Sequence, residues 1–132
     1  MYLLDTNTCI QIINRPTGVV AERFRRHEPH EINLCSVVKA ELYYGARKSQ
    51  QVESNLERMK FFFAPLGSLP FDDRCAAEYG QIKATLAAQG QLIGPNDLLI
   101  AAIARAYDAV FVTNNTREFS RVTGLRLEDW QS

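Results

Sequence analysis

Four acidic residues stand where a folded chain could bring their carboxylates together. Asp5 ends the apolar run that opens the chain, Asp97 precedes a second apolar run, and Glu41 and Glu118 lie in stretches with helical character. Clustered carboxylates repel one another unless a cation binds them, and their hard oxygen atoms suit Mg²⁺ or Mn²⁺. A convergence of these candidate catalytic residues therefore predicts metal-dependent hydrolysis of phosphodiester bonds.

Each of these acids also has a purely structural interpretation. Asp5 and Asp97 stand beside predicted helix N-termini, where capping and the helix dipole both favour an acid. Glu41 could face solvent, and Glu118 follows Asn115 by three residues, as in a capping box. From the residues taken singly, the structural and the chemical interpretation both stay open.

The elements that must position the acids alternate along the chain. Short apolar runs predict buried strands at residues 2–4, 32–35, 66–71, 109–112 and 125–127. Apolar periodicity and turn residues predict helices at 6–14, 17–28, 36–46, 49–63, 72–89 and 98–107. This order predicts a single α/β domain over residues 1–132, in which helices cover both faces of a mostly parallel sheet of about five strands.

Two of the predicted strands end in polar residues. Asp5 is followed by Thr6 and Asn7, either of which could cap the next helix, and strand 109–112 is followed by Thr113. Ligands of parallel sheets bind beyond the carboxyl ends of strands. If these two strands are neighbours, Asp5 and the 113–118 segment meet at one sheet edge. A crossover helix beginning near Asp97 starts at the same edge.

Composition excludes several classes of protein. His27 and His30 are the only histidines and flank a proline, which argues against a histidine zinc site or a Ser-His-Asp triad. The three cysteines at 9, 35 and 75 are odd in number and widely spaced, as expected for free, buried thiols in a reducing compartment. The longest apolar run, residues 98–104, is too short to span a bilayer. We therefore expect a soluble, cytoplasmic protein without membrane contact.

Net charge and two surface features leave questions open. The formal charge is zero, although 15 basic residues face 11 acidic ones once the four candidate acids are set aside. Arg23, Arg25 and Arg26 lie on the predicted second helix and could form a solvated face or a contact for RNA phosphates. Phe61 and Phe62 widen the apolar face of the fourth helix and could pack on the sheet or form a subunit interface.

Four motifs, taken together and in order, resemble those of a PIN domain of the VapC toxin type. Each is weak alone, but their order and spacing over residues 2–130 are specific. They are Asp5-Thr6-Asn7 after an apolar strand, Glu41-Leu42-x-x-Gly45 on a helix, Gly94-x-x-Asp97-x-x-Ile100-Ala101-Ala102, and Val112-Thr113-Asn114-Asn115.

The resemblance implies a Mg²⁺- or Mn²⁺-dependent endoribonuclease, the toxin of a type II toxin–antitoxin pair, that a VapB-type antitoxin inhibits. It also implies a PIN-like three-layer α/β/α sandwich and a homodimer that acts on structured RNA. The ending Thr-Asn-Asn-Thr-Arg-Glu-Phe is shared with members that cut initiator tRNA in its anticodon stem-loop.

The resemblance also assigns roles by position. Asp5 and Asp97 would bind the metal directly, and Glu41 would be the third acid, acting partly through water. Thr6 and Thr113 would orient these ligands through their hydroxyl groups, with Asn7 in a supporting position.

One position departs from the family pattern. Asn115 stands near the place where many PIN domains carry an aspartate, and Glu118 could supply the missing charge from one turn later. A one-metal and a two-metal site therefore both remain open.

Two other functions are compatible with parts of the pattern. A non-catalytic PIN-like module would bind RNA or a protein partner without a metal. A haloacid-dehalogenase-type phosphatase also begins with a strand ending in Asp, but it needs a second Asp two residues later, where this chain has Asn7.

Overall fold

A computed structural model describes residues Met1–Ser132 and contains one sheet of five parallel strands. The strands, in chain order, are β1 (Tyr2–Leu4), β2 (Ile32–Cys35), β3 (Gly67–Leu69), β4 (Val110–Val112) and β5 (Leu127–Glu128). They lie in the order β3-β2-β1-β4-β5, and every neighbouring pair is parallel. All five predicted strands are present, although β3 is shorter than expected and β5 begins two residues later.

The sheet is buried on both faces. Successive side chains of a strand point to opposite faces, and Leu3, Leu4, Phe111 and Val112 are all fully buried. Helices therefore cover both sides of β1 and β4, which confirms the three-layer α/β/α arrangement. Register pairs Leu4 with Val112, so the central strands β1 and β4 end side by side.

Seven α-helices connect and cover the strands. They are α1 (Thr6–Asn14), α2 (Val19–Arg25), α3 (Ser36–Arg47), α4 (Val52–Phe63), α5 (Asp73–Ala88), α6 (Pro95–Ala106) and α7 (Thr116–Phe119). Six match predicted helices; α1 has the predicted bounds, and the other five have at least one shifted end. α2 is shorter than expected because Gly18 is its N-cap and the Arg26 and His27 N–H groups donate to carbonyls only three residues back. α6 begins three residues early because Pro95 suits the first helical position.

Helix α6 is the central element of the core. Ala101, Ala102, Ile103 and Ala104 are completely buried, and Leu98 and Ile100 nearly so. This confirms the prediction of a helix that is apolar on nearly its whole circumference. Because α6 is enclosed, the acid in its first turn is held at the boundary between core and solvent.

Burial confirms the prediction for the cysteines and separates the two α4 aromatics. All three cysteines are free and buried. Phe62 is half-buried and packs against Phe24, with 5.7 Å between the ring centroids, whereas Phe61 is 73% exposed. No helix combines the length and apolar character that crossing a membrane requires.

Candidate active site

Asp5 joins the sheet to α1. Its backbone N–H donates to the Val112 carbonyl at 3.0 Å, and its carboxylate accepts the Thr8 backbone N–H at 2.7 Å. Asp5 is thus the N-cap of α1, with extended backbone angles. The prediction that Thr6 or Asn7 caps this helix was wrong, because the residue that ends the strand already carries a capping oxygen.

Two threonines hold Asp5 in place. The pairing of β1 with β4 places it beside Thr113, whose buried hydroxyl favours the charged form of the Asp5 carboxyl and opposes the rise in its pKa that burial causes. The same Thr113 oxygen accepts the Asn115 backbone N–H at 3.0 Å, so its own proton remains available for Asp5. The Thr8 hydroxyl donates to the Val112 carbonyl at 3.2 Å and ties α1 to β4.

Glu41 reaches the same region from α3. The Thr6 hydroxyl donates to Glu41 Oε1 at 2.6 Å, although the two residues are 35 positions apart in the chain. The Asn96 side-chain amide lies 3.5 Å from Glu41 Oε2. Glu41 is half-buried, and it is therefore neither a purely solvent-facing residue nor a core residue.

Asp97 lies in the first turn of α6, as predicted. Gly94 caps this helix without a side chain, and the Leu98 N–H donates to its carbonyl at 2.9 Å. A Cβ at Gly94 would stand 3.4 Å from Asp97 Oδ2, so the backbone passes close to this carboxylate. Asp97 is half-buried.

These side chains line one cleft of about 260 Å³. Ile100 and Phe119 form its apolar part, and the polar lining consists of Asp5, Thr6, Asn7, Glu41, Asp97, Asn114 and Asn115. The structure therefore brings together three of the four predicted acids. Thr113 is fully buried and is not part of the cleft lining.

Glu118 lies beside the cleft and not in its lining. Its carboxylate accepts the Asn115 side-chain amide at 3.1 Å. Asn115 is the N-cap of α7 but makes no side-chain capping bond, so the capping box that the sequence pattern suggested does not form. Glu118 holds the amide that lines the cleft.

The acids of the cleft influence one another's ionisation. Burial raises the pKa of Asp5 above its usual value, against the opposing hydrogen bonds from Thr113 and Thr8. Burial also raises the pKa of Asp97, and the charges of Glu41, Glu118 and Asp5 raise it further. All four predicted acids thus share one electrostatic field, and a cation in the cleft would relieve their repulsion.

The donor set fits a hard divalent cation. Every polar side chain of the lining is a carboxylate, hydroxyl or amide, with no histidine or cysteine, as Mg²⁺ and Mn²⁺ prefer. No three acidic, histidine or cysteine side chains form a ready-made metal cage. Mg²⁺ needs no such cage, because it retains several waters and uses one or two carboxylates; Asp5 and Asp97 would be that pair.

Three polar residues near these acids were not singled out as candidates in the sequence. Asn114 lines the cleft, Asn96 approaches Glu41, and Thr8 donates its backbone N–H to the Asp5 carboxylate. Asn114 and Asn96 are chain neighbours of predicted residues, which is the one signal that pointed to them. The contact between Asn96 and Glu41 spans 55 positions and leaves no local trace in the sequence.

The arginines of α2 do not form a free basic patch. Arg23 Nη1 donates to the carbonyls of Asp129 and Ser132, at 3.1 and 2.9 Å. Arg26 pairs with Glu22 at 3.2 Å, and Arg25 donates to the Pro16 carbonyl at 2.7 Å. Arg23 fastens the carboxyl-terminal segment to α2, a role that the sequence interpretation did not include.

Comparison with known proteins agrees with this geometry. The PIN domain family model matches residues 2–125. The tRNA(fMet)-specific endonuclease VapC of Shigella flexneri is 46% identical over 129 residues, which cover 98% of this chain and 97% of that protein. Ribonuclease VapC2 of Haemophilus influenzae is 43% identical with the same coverage.

Solved structures give the same relationship. A DNA-bound VapBC structure from Salmonella typhimurium contains a chain with a TM-score of 0.91 and 42% identity, covering 98% of this chain and 97% of that one. VapBC2 from Rickettsia felis, bound to a promoter DNA fragment, gives a TM-score of 0.92 and 38% identity, covering 98% of both chains. The chain belongs to the PIN domain family and, within it, to the VapC group.

Proposed function

We propose that this chain is a Mg²⁺- or Mn²⁺-dependent endoribonuclease and the toxin of a type II toxin–antitoxin pair. The observation that carries the proposal is the cleft in which Asp5, Glu41 and Asp97, from three distant segments, meet in an oxygen-only lining. The relatives named as ribonucleases support hydrolysis of RNA phosphodiester bonds.

The roles of the residues follow from their contacts. Asp5 and Asp97 hold the ion, since burial and mutual charge make both carboxylates gain from a cation. Bound there, the ion supplies Lewis-acid activation of water and of the phosphoryl group. Glu41, held by Thr6, orients water at the edge of the site. Thr113 keeps Asp5 in its binding orientation.

Two further residues support the site. Glu118 holds Asn115 against the cleft and adds negative charge near Asp97. Asn7, exposed at the rim, lies where a substrate group would contact it.

We infer that the substrate is structured RNA, and initiator tRNA cut in its anticodon stem-loop is the first choice. The relative at 46% identity is named as specific for tRNA(fMet), and the resemblance of the 113–119 segment points the same way. The VapBC relatives support inhibition by a VapB-type antitoxin. By the same resemblance the protein acts as a homodimer in the cytoplasm.

A cleavage assay tests the proposal. End-labelled initiator tRNA is incubated with the antitoxin-free protein in Mg²⁺, in Mn²⁺ and in EDTA. Asp97→Asn is the site variant. Asp73→Asn is the matched control, because Asp73 is also in the first turn of a helix but is exposed and outside the cleft. We expect a discrete cut that requires metal, is lost in Asp97→Asn and is kept in Asp73→Asn.

The negative outcomes are distinct. A metal-independent cut, or equal activity of the two variants, would contradict the site. Absence of any cut, together with RNA binding that persists in EDTA, would favour a non-catalytic PIN-like binding module.

A further inference from the structure

A shallow polar groove leaves the cleft along α1. Asn7 and Asn114 line the cleft and also the start of this groove, whose first part is too narrow to admit a water molecule, so a bound strand would lie over it. Gln11 and Gln131 line its middle and its far part, and Arg15 lines the far end. We call these five residues the amide track. Asn7, Gln11 and Arg15 are spaced four residues apart, so their side chains form one stripe along α1 and its C-cap.

Arg15 closes the track with a free positive charge. Its guanidinium makes no hydrogen bond or ion pair within the chain, and it is exposed. The only carboxylate in the groove lining, that of Asp129, accepts hydrogen bonds from the Gln131 backbone N–H and the Ser132 hydroxyl. The Gly18 backbone passes close to that of Arg15, since a Cβ at Gly18 would stand 3.2 Å from the Arg15 carbonyl oxygen and 3.3 Å from the Arg15 Cβ.

We propose that the amide track binds the RNA strand where it leaves the cleft, and that Arg15 contacts one of its phosphates. The inference rests on the proposed function and adds a second substrate-binding site to it. A polynucleotide cut in the cleft must extend beyond it. Side-chain amides donate to and accept from base edges, and guanidinium pairs with phosphate. Eight helical residues span about 12 Å, so Arg15 would contact a phosphate beyond the cleavage position.

The other groove that adjoins the cleft fits RNA less well. It shares Glu41 with the cleft and is lined by Ile10, Ile13, Leu42 and Met59, with no basic residue in its lining. A polyanion gains little from such a surface. Charge complementarity therefore selects the amide track.

Binding of an initiator tRNA transcript to the full chain tests the proposal. It is measured in the Asp97→Asn background, so that cleavage does not interfere, at several salt concentrations. Arg15→Gln should weaken binding about tenfold, as for the loss of one charge-assisted hydrogen bond. It should also reduce the slope of log affinity against log salt by about 0.7 to 0.9, the contribution of one phosphate contact. Arg15→Lys should restore the slope.

Arg126→Gln is the matched control. Arg126 is exposed and immediately precedes β5. It pairs with Asp108, which precedes β4, so the pair lies at the end of the sheet opposite the cleft. It should leave affinity and slope unchanged. With Asp97 intact, Arg15→Gln should raise KM for cleavage and leave kcat unchanged, because Arg15 lies far from the reacting group.

The outcomes separate this proposal from the proposed function. If Arg15→Gln and Arg126→Gln behave alike while the parent still cuts RNA, the amide track is overturned and the nuclease stands. If Arg15→Gln keeps its RNA affinity but loses affinity for the VapB-type antitoxin, the groove belongs to the protein partner and the proposal is overturned. If no form binds or cuts RNA, both proposals fail.

Discussion

Replacing Thr6 with valine should uncouple Glu41 from α1. The Thr6 hydroxyl donates to Glu41 Oε1 at 2.6 Å. This is the only hydrogen bond shorter than 3 Å to the Glu41 carboxylate. Valine keeps the β-branched shape and removes the donor. The Asn96 amide, at 3.5 Å from the other oxygen, is too distant to replace it.

The expected loss of stability follows from the exposure of Glu41. A hydrogen bond to a charged group contributes about 1.5–3 kcal/mol net when its partner is left buried and unpaired. Glu41 is half-buried, so water can take the place of the Thr6 hydroxyl. The loss should therefore lie at or below the lower end of that range, about 1–1.5 kcal/mol.

A double-mutant cycle measures the interaction. Urea unfolding in EDTA is compared for the parent, Thr6→Val, Glu41→Ala and the double variant, with Thr6→Ser as the variant that keeps the donor. We expect a coupling free energy of about 1 kcal/mol and a cleavage rate that falls in Thr6→Val more than in Thr6→Ser. A coupling free energy within about 0.3 kcal/mol of zero would refute the reasoning.

Three further variants test other contacts. Asp5→Asn should abolish metal-dependent cleavage, because it removes a proposed metal ligand, and should keep the Thr8 cap. Because burial raises the pKa of Asp5, the variant in EDTA should also gain stability over the parent as pH rises above about 4, which urea unfolding against pH measures; a difference that shrinks with pH would count against this. Glu118→Gln should lower turnover in steady-state kinetics, and an unchanged kcat would remove Glu118 from the site. The free energy of unfolding should change by less than about 1 kcal/mol, because the partner of Glu118 is the Asn115 side chain and not a helix N–H. Trp130→Ala should cost about 3–5 kcal/mol in urea unfolding, since Trp130 is 1% exposed; a cost near zero would show that the carboxyl-terminal segment does not belong to the core.

The amide track gives the α1 helix two functions. Its buried side, with Thr8 and Ile12, joins the core, and its first turn fixes Asp5 and Thr6 at the cleft. Its other side carries the amide track. A substitution on α1 can therefore impair binding, chemistry or folding, and measuring KM, kcat and unfolding separately distinguishes the three.

Local patterns were sufficient to predict the five strands, six of the seven α-helices and the positions of the main acids. Apolar runs marked all five strands, and the helix that follows Asp97 was recognised as buried because its apolar residues surround it. These signals are local, because the apolar pattern that predicts burial of a short segment lies within the segment itself. Asp5 and Asp97 were predictable for the same reason, since each adjoins an apolar element and a helix start.

The assembly of the cleft depended on contacts between distant segments. The pairing of Leu4 with Val112, the bond from Thr6 to Glu41 and the attachment of Glu118 to Asn115 instead of a helix cap were open in the sequence. Several partners of similar energy compete for each polar group, and a capping residue and a metal ligand look alike in sequence. The strand order in the sheet selects among these competing partners, because it determines which carboxylates lie close enough to influence one another's pKa.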